Sequence, residues 1–246
     1  MDVQIRKIAW GAPSNIVAYH STKVGGHSTG IFKSSNMSLD VGDNPKNVKK
    51  NRDSFSKQLN LSNNPVFMKQ IHSSTIRKVT KPNENLVCDS CYTSVPGLPL
   101  AVLSADCLPI LVSSTDGKKI GVIHAGWRGL SNDIIQKFIK RFAVNVKDIV
   151  VWIGPSINPE NYIVREDVFN KLSSLSTKYF SKTKEMGAWY LDLKYVAKVI
   201  LKDLGVKKIF LENLCTYDNA DIFYSYRREN QTGRIATIIW IDSNDN

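Results

Sequence analysis

His72, Cys107 and His124 each stand where an apolar run stops, and together they offer two imidazoles and one thiolate. Cys107 closes LAVLSADC, His124 closes IGVIH, and His72 follows VFMKQI. Runs this short and this rich in Val, Ile and Leu read as buried strands. Residues at strand ends sit on the rim of a sheet, where several can converge on one point. Structural zinc sites close with four protein ligands, whereas catalytic ones keep three and leave a place for water. The trio, three good ligands for zinc, therefore points to an open, catalytic metal site rather than a structural staple.

The neighbours of these residues extend the chemistry. Asp106 adjoins Cys107, and a carboxylate there could orient a histidine ligand or carry protons to and from water at the metal. Cys107 taken alone has another reading, since a free cysteine packs like a small hydrophobe. His124-Ala-Gly-Trp-Arg-Gly129 is a strand-to-helix turn whose glycines allow close approach to the backbone. Backbone N–H groups at such a helix start favour anions, and Arg128 adds a planar fork suited to phosphate or carboxylate. Arg52, Arg227, Arg228 and Arg234 could also bind phosphate, against the alternative of surface or salt-bridge roles. Arg52 is the first choice among them, because it follows the turn-rich Val41-Gly-Asp43. Phe223, Tyr224 and Tyr226 could wall a flat ligand or belong to the core. His20 and His27 lie in the Gly- and Ser-containing opening and are expected to face solvent.

Composition narrows the class. The chain has 246 residues, 42% hydrophobic and 22% charged, which fits an ordinary soluble globular protein, and with no repeat or linker a single domain spanning 1–246 is expected. No apolar stretch approaches the ~20 residues of a membrane span, and the start, MDVQIRKIAW, lacks a secretory apolar segment. The expectation is a cytoplasmic protein without a membrane partner, a monomer or small homo-oligomer. Lys plus Arg total 33 against 22 Asp plus Glu, a net charge of +11 that would attract phosphate-bearing partners. The basic residues are scattered, however, so no specific nucleic-acid partner is expected. Four cysteines are too few and too unevenly placed for a disulfide framework. Cys88-x-x-Cys91 lacks the second pair of a zinc ribbon and leads into a turn rather than a helix.

The elements that must position the site follow from periodicity. Asn47–Leu59 reads as a helix, Pro65–Val79 as strand, loop and strand, and Leu98–Leu103 and Ile110–Ser113 as strands. Ile120–His124 is a strand running into a helix whose Ile134, Ile135, Phe138, Ile139 and Phe142 share one face. Ile149–Ile153 is a strand, and Asp192–Leu204 a helix with Gly205 suited to its C′ position. The end reads as a hairpin, IFYSYRR and IATIIWI around a turn at Glu229–Gly233. A single α+β domain results, with mixed β-sheets packed as a sandwich and flanked by helices.

Read in order, several segments resemble the laccase-domain family, once called multicopper polyphenol oxidases and later tied to purine nucleoside phosphorolysis. They are Val41-Gly-Asp43 with Asn51-Arg52, Lys69-Gln-Ile-His72, Asp89 to Thr93, and Ala105 to Pro109. His124 to Gly129, Gly154-Pro-Ser-Ile157, Leu191-Asp-Leu193, Leu214-Cys-Thr216, and Phe223 to Arg228 with Thr232-Gly-Arg234 complete the set. Two departures stand out. Glu160 and Asn161 precede Tyr162 where the family often has a Cys, and Phe223 to Arg228 carries one inserted residue. The resemblance implies a mixed α/β sandwich with zinc on His72, Cys107 and His124. It also implies purine nucleosides and phosphate as substrates: cleavage of adenosine, inosine and methylthioadenosine, plus deamination of adenosine. Asp106, Cys107 and Arg128 are then the catalytic candidates, and Arg52, Gln70 and Arg128 those for substrate and phosphate.

Three rival readings compete with this one. Copper sites of oxidases want paired histidines, and the chain has only four His and no His-x-His. A metal-free cysteine hydrolase would use Cys107 as nucleophile and a His as base. A basic RNA-binding protein would show salt-dependent retention and no turnover.

Overall fold

A computed structural model describes residues 1–83, 85–173 and 176–243. Its early strands are β1 (Ile5–Lys7), β2 (Ile16–Ser21), β3 (Val66–Lys69), β4 (Ile76–Lys78) and β5 (Leu86–Val87). The central ones are β6 (Ser90–Thr93), β7 (Leu100–Ser104), β8 (Leu108–Ser114), β9 (Ile120–Ala125) and β10 (Ile149–Ile153). The last are β11 (Ile163–Arg165), β12 (Phe180–Lys182), β13 (Ala188–Leu191), β14 (Lys208–Leu211) and β15 (Ile235–Ile241). Helices are α1 (Pro45–Gln58), α2 (Trp127–Ser131), α3 (Ile134–Phe142), α4 (Glu166–Ser173), α5 (Leu193–Asp203) and α6 (Tyr226–Glu229).

Two mixed six-stranded sheets form the frame, ordered β1-β2-β15-β7-β3-β5 and β14-β10-β8-β9-β6-β4, with a small sheet β11-β13-β12 beside them. Side-chain alternation sorts each central strand into two faces. Val66, Leu100, Val102 and Ile239 of the first sheet meet Leu111, Ile120, Val122 and Val150 of the second in one apolar layer. The opposite face of the second sheet (Ile110, Val112, Ile123, Val151) packs under Ile135, Phe138 and Phe142 of α3 and Val196, Ile200 and Leu201 of α5. The outer face of the first sheet, with Ala101, Leu103 and Ile238, is covered by Phe55 of α1 and by Met37. Both sheets are thus buried on two sides, which is why β7, β8, β9 and β10 read as continuous apolar runs.

Helix ends follow their chemistry. Asn44 caps α1 by accepting from Lys46 N, with Pro45 as the first helical residue. Asp192 caps α5 by accepting from Tyr195 N, and Gly205 takes the left-handed conformation just past its end (φ 93°). No helix among the described residues is long and apolar enough to cross a membrane.

Two expectations need correction. Residues 222–228 do not form a hairpin strand with β15, whose neighbours are β2 and β7. Ile222 N and Phe223 N turn back to Asn219 O at 3.2 and 3.0 Å, and Ser225 then caps the short helix α6 by accepting from Arg228 N. His20 does not face solvent either. It lies on β2, buried, with Nδ1 3.1 Å from Ser21 O and its ring 5.8 Å from that of Phe223. Burial, helped by the nearby positive Arg6 and opposed by the Ser21 carbonyl, lowers its pKa to about 4.

Candidate metal centre and its cavity

The ligand-bearing residues come from both sheets and from the chain passing between them. β3 belongs to the first sheet, and the turn after it carries His72. The chain crosses from β7 in the first sheet to β8 in the second through Ala105-Asp106-Cys107. His124 lies on β9, where alternation puts it on the same face as Ile120 and Val122 and so towards the first sheet. Register does the rest: Leu108 pairs with Ala125 and Pro109 with His124, so Cys107 lies at the strand end opposite Gly126. One ligand atom from each of His72, Cys107 and His124 lies within 4.8 Å of the others. His72 is exposed, Cys107 half-buried and His124 buried, so the group is sealed below and open above.

A residue that the sequence reading left out of the site organises it. Asp89 sits in the other crossover, between β5 and β6, and is fully buried. Its Oδ1 lies 2.9 Å from His124 Nδ1 and accepts from His72 N at 2.9 Å. Its Oδ2 accepts from Ser73 N at 2.6 Å, Ser73 Oγ at 2.8 Å and Ile71 N at 3.3 Å. One carboxylate thus fixes both the ring of one histidine and the backbone of the other. Burial opposes its charge, but the bonds from His124 and Ser73 prevail and hold the carboxyl below its ordinary range. With Nδ1 engaged, His124 presents Nε2 to the site, the carboxylate–histidine arrangement common behind metals. The signals available in sequence were a carboxylate between two cysteines and its place at the head of the family-like segment Asp89 to Thr93.

The donor set fits a metal. Burial disfavours the Cys107 thiolate, yet the fields and hydrogen bonds of His124 and His72 outweigh it and draw the thiol down. Burial likewise disfavours a charged His124, and the Cys107 and Asp89 charges overcome it. Two imidazole nitrogens and a thiolate suit zinc or copper rather than magnesium or calcium. Space is kept for an ion as well. A Cβ at Gly126 would lie 2.8 Å from Cys107 Sγ and 3.7 Å from His72 Cδ2. Strain concentrates here too, with left-handed backbone at His72 (φ 58°) and Asp106 (φ 91°).

The three residues line a cavity of about 440 Å³, together with Gln70, Trp127, Arg128, Tyr162, Arg227 and Arg234 among others. That volume suits a small organic ligand. A larger cleft of about 950 Å³ lies at the far ends of β8 and β15, among turns that carry none of these ligands. The chemistry belongs to the smaller one.

The remaining sequence-predicted residues fare differently. Asp106 adjoins the cavity, but its oxygens accept from Thr216 Oγ1 at 2.6 Å, Ser225 Oγ at 3.0 Å and Arg227 N at 2.7 Å. It fastens the 216–227 segment beside Cys107. Gln70 lines the cavity while its amide makes two 2.8 Å bonds with the Leu103 backbone. Arg128 is exposed at the rim, its guanidinium 4.4 Å from the Trp127 ring centre. Arg52 is not among the lining residues. It donates to Met37 O at 2.8 Å and stacks 3.8 Å over Phe67, because its stem leaves α1 against the outer face of the first sheet. Arg228 is tied to the carbonyls of Thr216, Tyr217 and Phe223 and to Glu229. Cys88 and Cys91 are buried, and burial pushes the Cys88 thiol up to about 12, so both serve as core.

Comparison with known proteins agrees with this architecture. The family model described as multi-copper polyphenol oxidoreductase laccase matches residues 17–242. A purine nucleoside phosphorylase of Haemophilus influenzae is 36% identical over 237 residues, 95% of this chain and 97% of that protein. The Escherichia coli purine nucleoside phosphorylase YfiH is 35% identical over 234 residues, 94% of this chain and 96% of its own. A Neisseria meningitidis crystal structure superposes with a TM-score of 0.89 at 31% identity, covering 97% of this chain and 99% of that one. With the match running through both sheets and every ligand-bearing turn, the chain belongs to the multi-copper polyphenol oxidoreductase laccase family.

Proposed function

We propose that this chain is a zinc-dependent purine nucleoside phosphorylase acting on adenosine, inosine and methylthioadenosine, with adenosine deaminase activity at the same site. The observation that carries this reading is the cluster of His72, Cys107 and His124 on a cavity also lined by Arg128, Arg227 and Arg234. The names of the relatives, purine nucleoside phosphorylases at 36% and 35% identity, support it.

Phosphorolysis transfers the ribosyl group from the base nitrogen to a phosphate oxygen through an oxocarbenium-like sugar. The protein must hold an anion beside the anomeric carbon, accept positive charge in the sugar and exclude water. Arginines on the cavity wall serve the first need. Trp127, Tyr162 and Tyr226 on the cavity wall offer aromatic surface for a flat base. His72, Cys107 and His124 would hold the zinc, which would supply a Lewis acid and, for deamination, an activated water. Asp89 keeps the Nε2 of His124 turned to that position. Asp106, saturated by three donors, acts by positioning Arg227 and Cys107. Gln70 shapes the wall through Leu103, and Arg52 supports the 37–41 segment from behind.

The test is incubation of the metal-loaded protein with adenosine, with and without phosphate. Adenine and ribose 1-phosphate forming only with phosphate are expected, and inosine in either case. Absence of adenine at saturating phosphate would overturn the phosphorylase reading. Stoichiometric zinc that disappears in Cys107→Ser is expected, whereas full activity in chelator would favour a metal-free cysteine hydrolase. A second reading, a copper oxidase, draws on the family's description and on the two-His, one-Cys donor set. It predicts an intense visible thiolate-to-copper band and phenol oxidation by the copper-loaded protein.

A further inference from the structure

Arg234 stands immediately before β15 and is pinned by its backbone: its N donates to Asn36 Oδ1 at 2.9 Å and its carbonyl accepts from Met37 N at 3.0 Å. Its guanidinium is equally constrained. Nη1 donates to Thr232 O at 2.7 Å and to Gly233 O at 3.0 Å, and the group lies 5.7 Å from the Tyr226 ring centre. Among the described residues, Nε and Nη2 have no hydrogen-bond partner, and no carboxylate forms an ion pair with Arg234. The residue is half-buried and lines the cavity that holds His72, Cys107 and His124.

Burial holds this guanidinium below its ordinary pKa, and the nearby charges of Cys107 and Asp106, neither of them bonded to it, offset that cost only in part. Arg228 shows the usual solution, an ion pair with Glu229 and bonds to three carbonyls. Arg234 is instead oriented by its Nη1 bonds while keeping Nε and Nη2 unspent. Those are the donors that grip two oxygens of one oxyanion. Arg227, an exposed residue, lines the same cavity from its mouth, held through Nη1 to Ile163 O at 2.7 Å and stacked 4.8 Å over Tyr162.

We propose that Arg234, completed by Arg227, is the oxyanion subsite of this cavity and takes inorganic phosphate as the attacking co-substrate. The assignment rests on the phosphorolysis reading for its role, though not for the binding of the anion itself. It places the anion on the side of the cavity formed by β15 and the 36–41 segment, leaving exposed Arg128 at the rim to attract and release it.

The experiment compares wild type, Arg234→Gln, Arg234→Lys and Arg227→Gln, all zinc-loaded and checked for melting temperature and metal content. At saturating adenosine, KM for phosphate should rise on the order of 10- to 100-fold in Arg234→Gln, the loss expected for charge-assisted hydrogen bonds. KM for adenosine should stay within about twofold, and Arg234→Lys should fall between, since a point charge replaces the fork. Phosphate titrated calorimetrically into the zinc-loaded protein without nucleoside should bind wild type and not Arg234→Gln. An unchanged phosphate KM in folded Arg234→Gln would overturn the assignment. Should the Arg234 variants fail to fold, Arg227→Gln decides by the same two readouts, because only its backbone N engages Asp106. Should wild type show no phosphate-dependent turnover, the phosphorylase reading fails, and calorimetry alone then judges the anion site: no binding to wild type sinks it.

Discussion

Replacing Asp89 by Asn tests how much of the centre depends on one buried carboxylate. The native group accepts from five donors, two on Oδ1 and three on Oδ2. An amide has one acceptor oxygen and one NH2. Turned one way its NH2 faces the fixed N–H of His72, and turned the other way it faces those of Ile71 and Ser73. With the oxygen kept towards His124 and His72, the N–H groups of Ile71 and Ser73 lose their acceptor, while the Ser73 hydroxyl can turn to accept. Each orphaned donor in a buried site costs about 1–3 kcal/mol, and breaking a buried charged network about 3–5 kcal/mol. For a chain of this size that lowers the melting temperature by roughly 10 °C. Metal affinity should fall about 10- to 100-fold, because His124 loses the partner that fixes its tautomer and His72 the bond that fixes its turn. Differential scanning calorimetry of the apo protein and competition with a metal chelator measure the two effects separately. An Asp89→Asn protein that melts within about 2 °C of wild type and keeps its metal affinity would refute the reasoning, whatever its activity.

Four further outcomes are expected. His72→Ala, Cys107→Ala and His124→Ala should each abolish phosphorolysis and bound metal while leaving a folded protein; a wild-type rate in any of them removes that residue from the centre. Gly126→Ala should weaken metal binding with little loss of fold, since its φ of −85° is ordinary and the new Cβ meets the Cys107 sulfur at 2.8 Å; unaltered affinity would show that the sulfur can move aside. Arg128→Ala should weaken phosphate use without changing metal content, and an unchanged apparent phosphate affinity would count against its role at the rim. Wild type should lose stability in acid through His20, whose neutral form the fold prefers. That contribution is complete above the unfolded pKa of 6.5 and is lost as pH falls towards about 4. The gap is worth roughly 3 kcal/mol. His20→Gln should flatten this limb of a melting-versus-pH curve, and an identical slope would place the acid sensitivity elsewhere.

The strands and helices nearest the candidate metal centre were legible because their signals are local. The runs ending at Cys107 and His124 have lengths and compositions that only buried strands use, and α3 and α5 carry a single apolar face each. Three ligands at three strand ends then had few places to go but a common rim. What stayed hidden depends on partners far along the chain. Asp89 looks like a turn residue until β6 pairs with β9 and brings His124 against it, 35 positions away. Arg52 and Arg234 are chemically identical in sequence; only the packing of α1 outside the first sheet and the position of Arg234 before β15 separate them. The 222–228 segment misled because its aromatic and polar residues mimic strand alternation, whereas contacts with loops and a capping serine decide its shape.

The clasp between Asp89 and residues 71–73 has an evolutionary corollary. Three of its four grips there are made by main-chain amides, a group every amino acid except proline possesses. Position 71, whose isoleucine side chain is 53% exposed, can therefore drift without loosening the neighbouring histidine. Relatives can repaint the entrance beside the His72, Cys107 and His124 cluster and leave the cluster's geometry untouched.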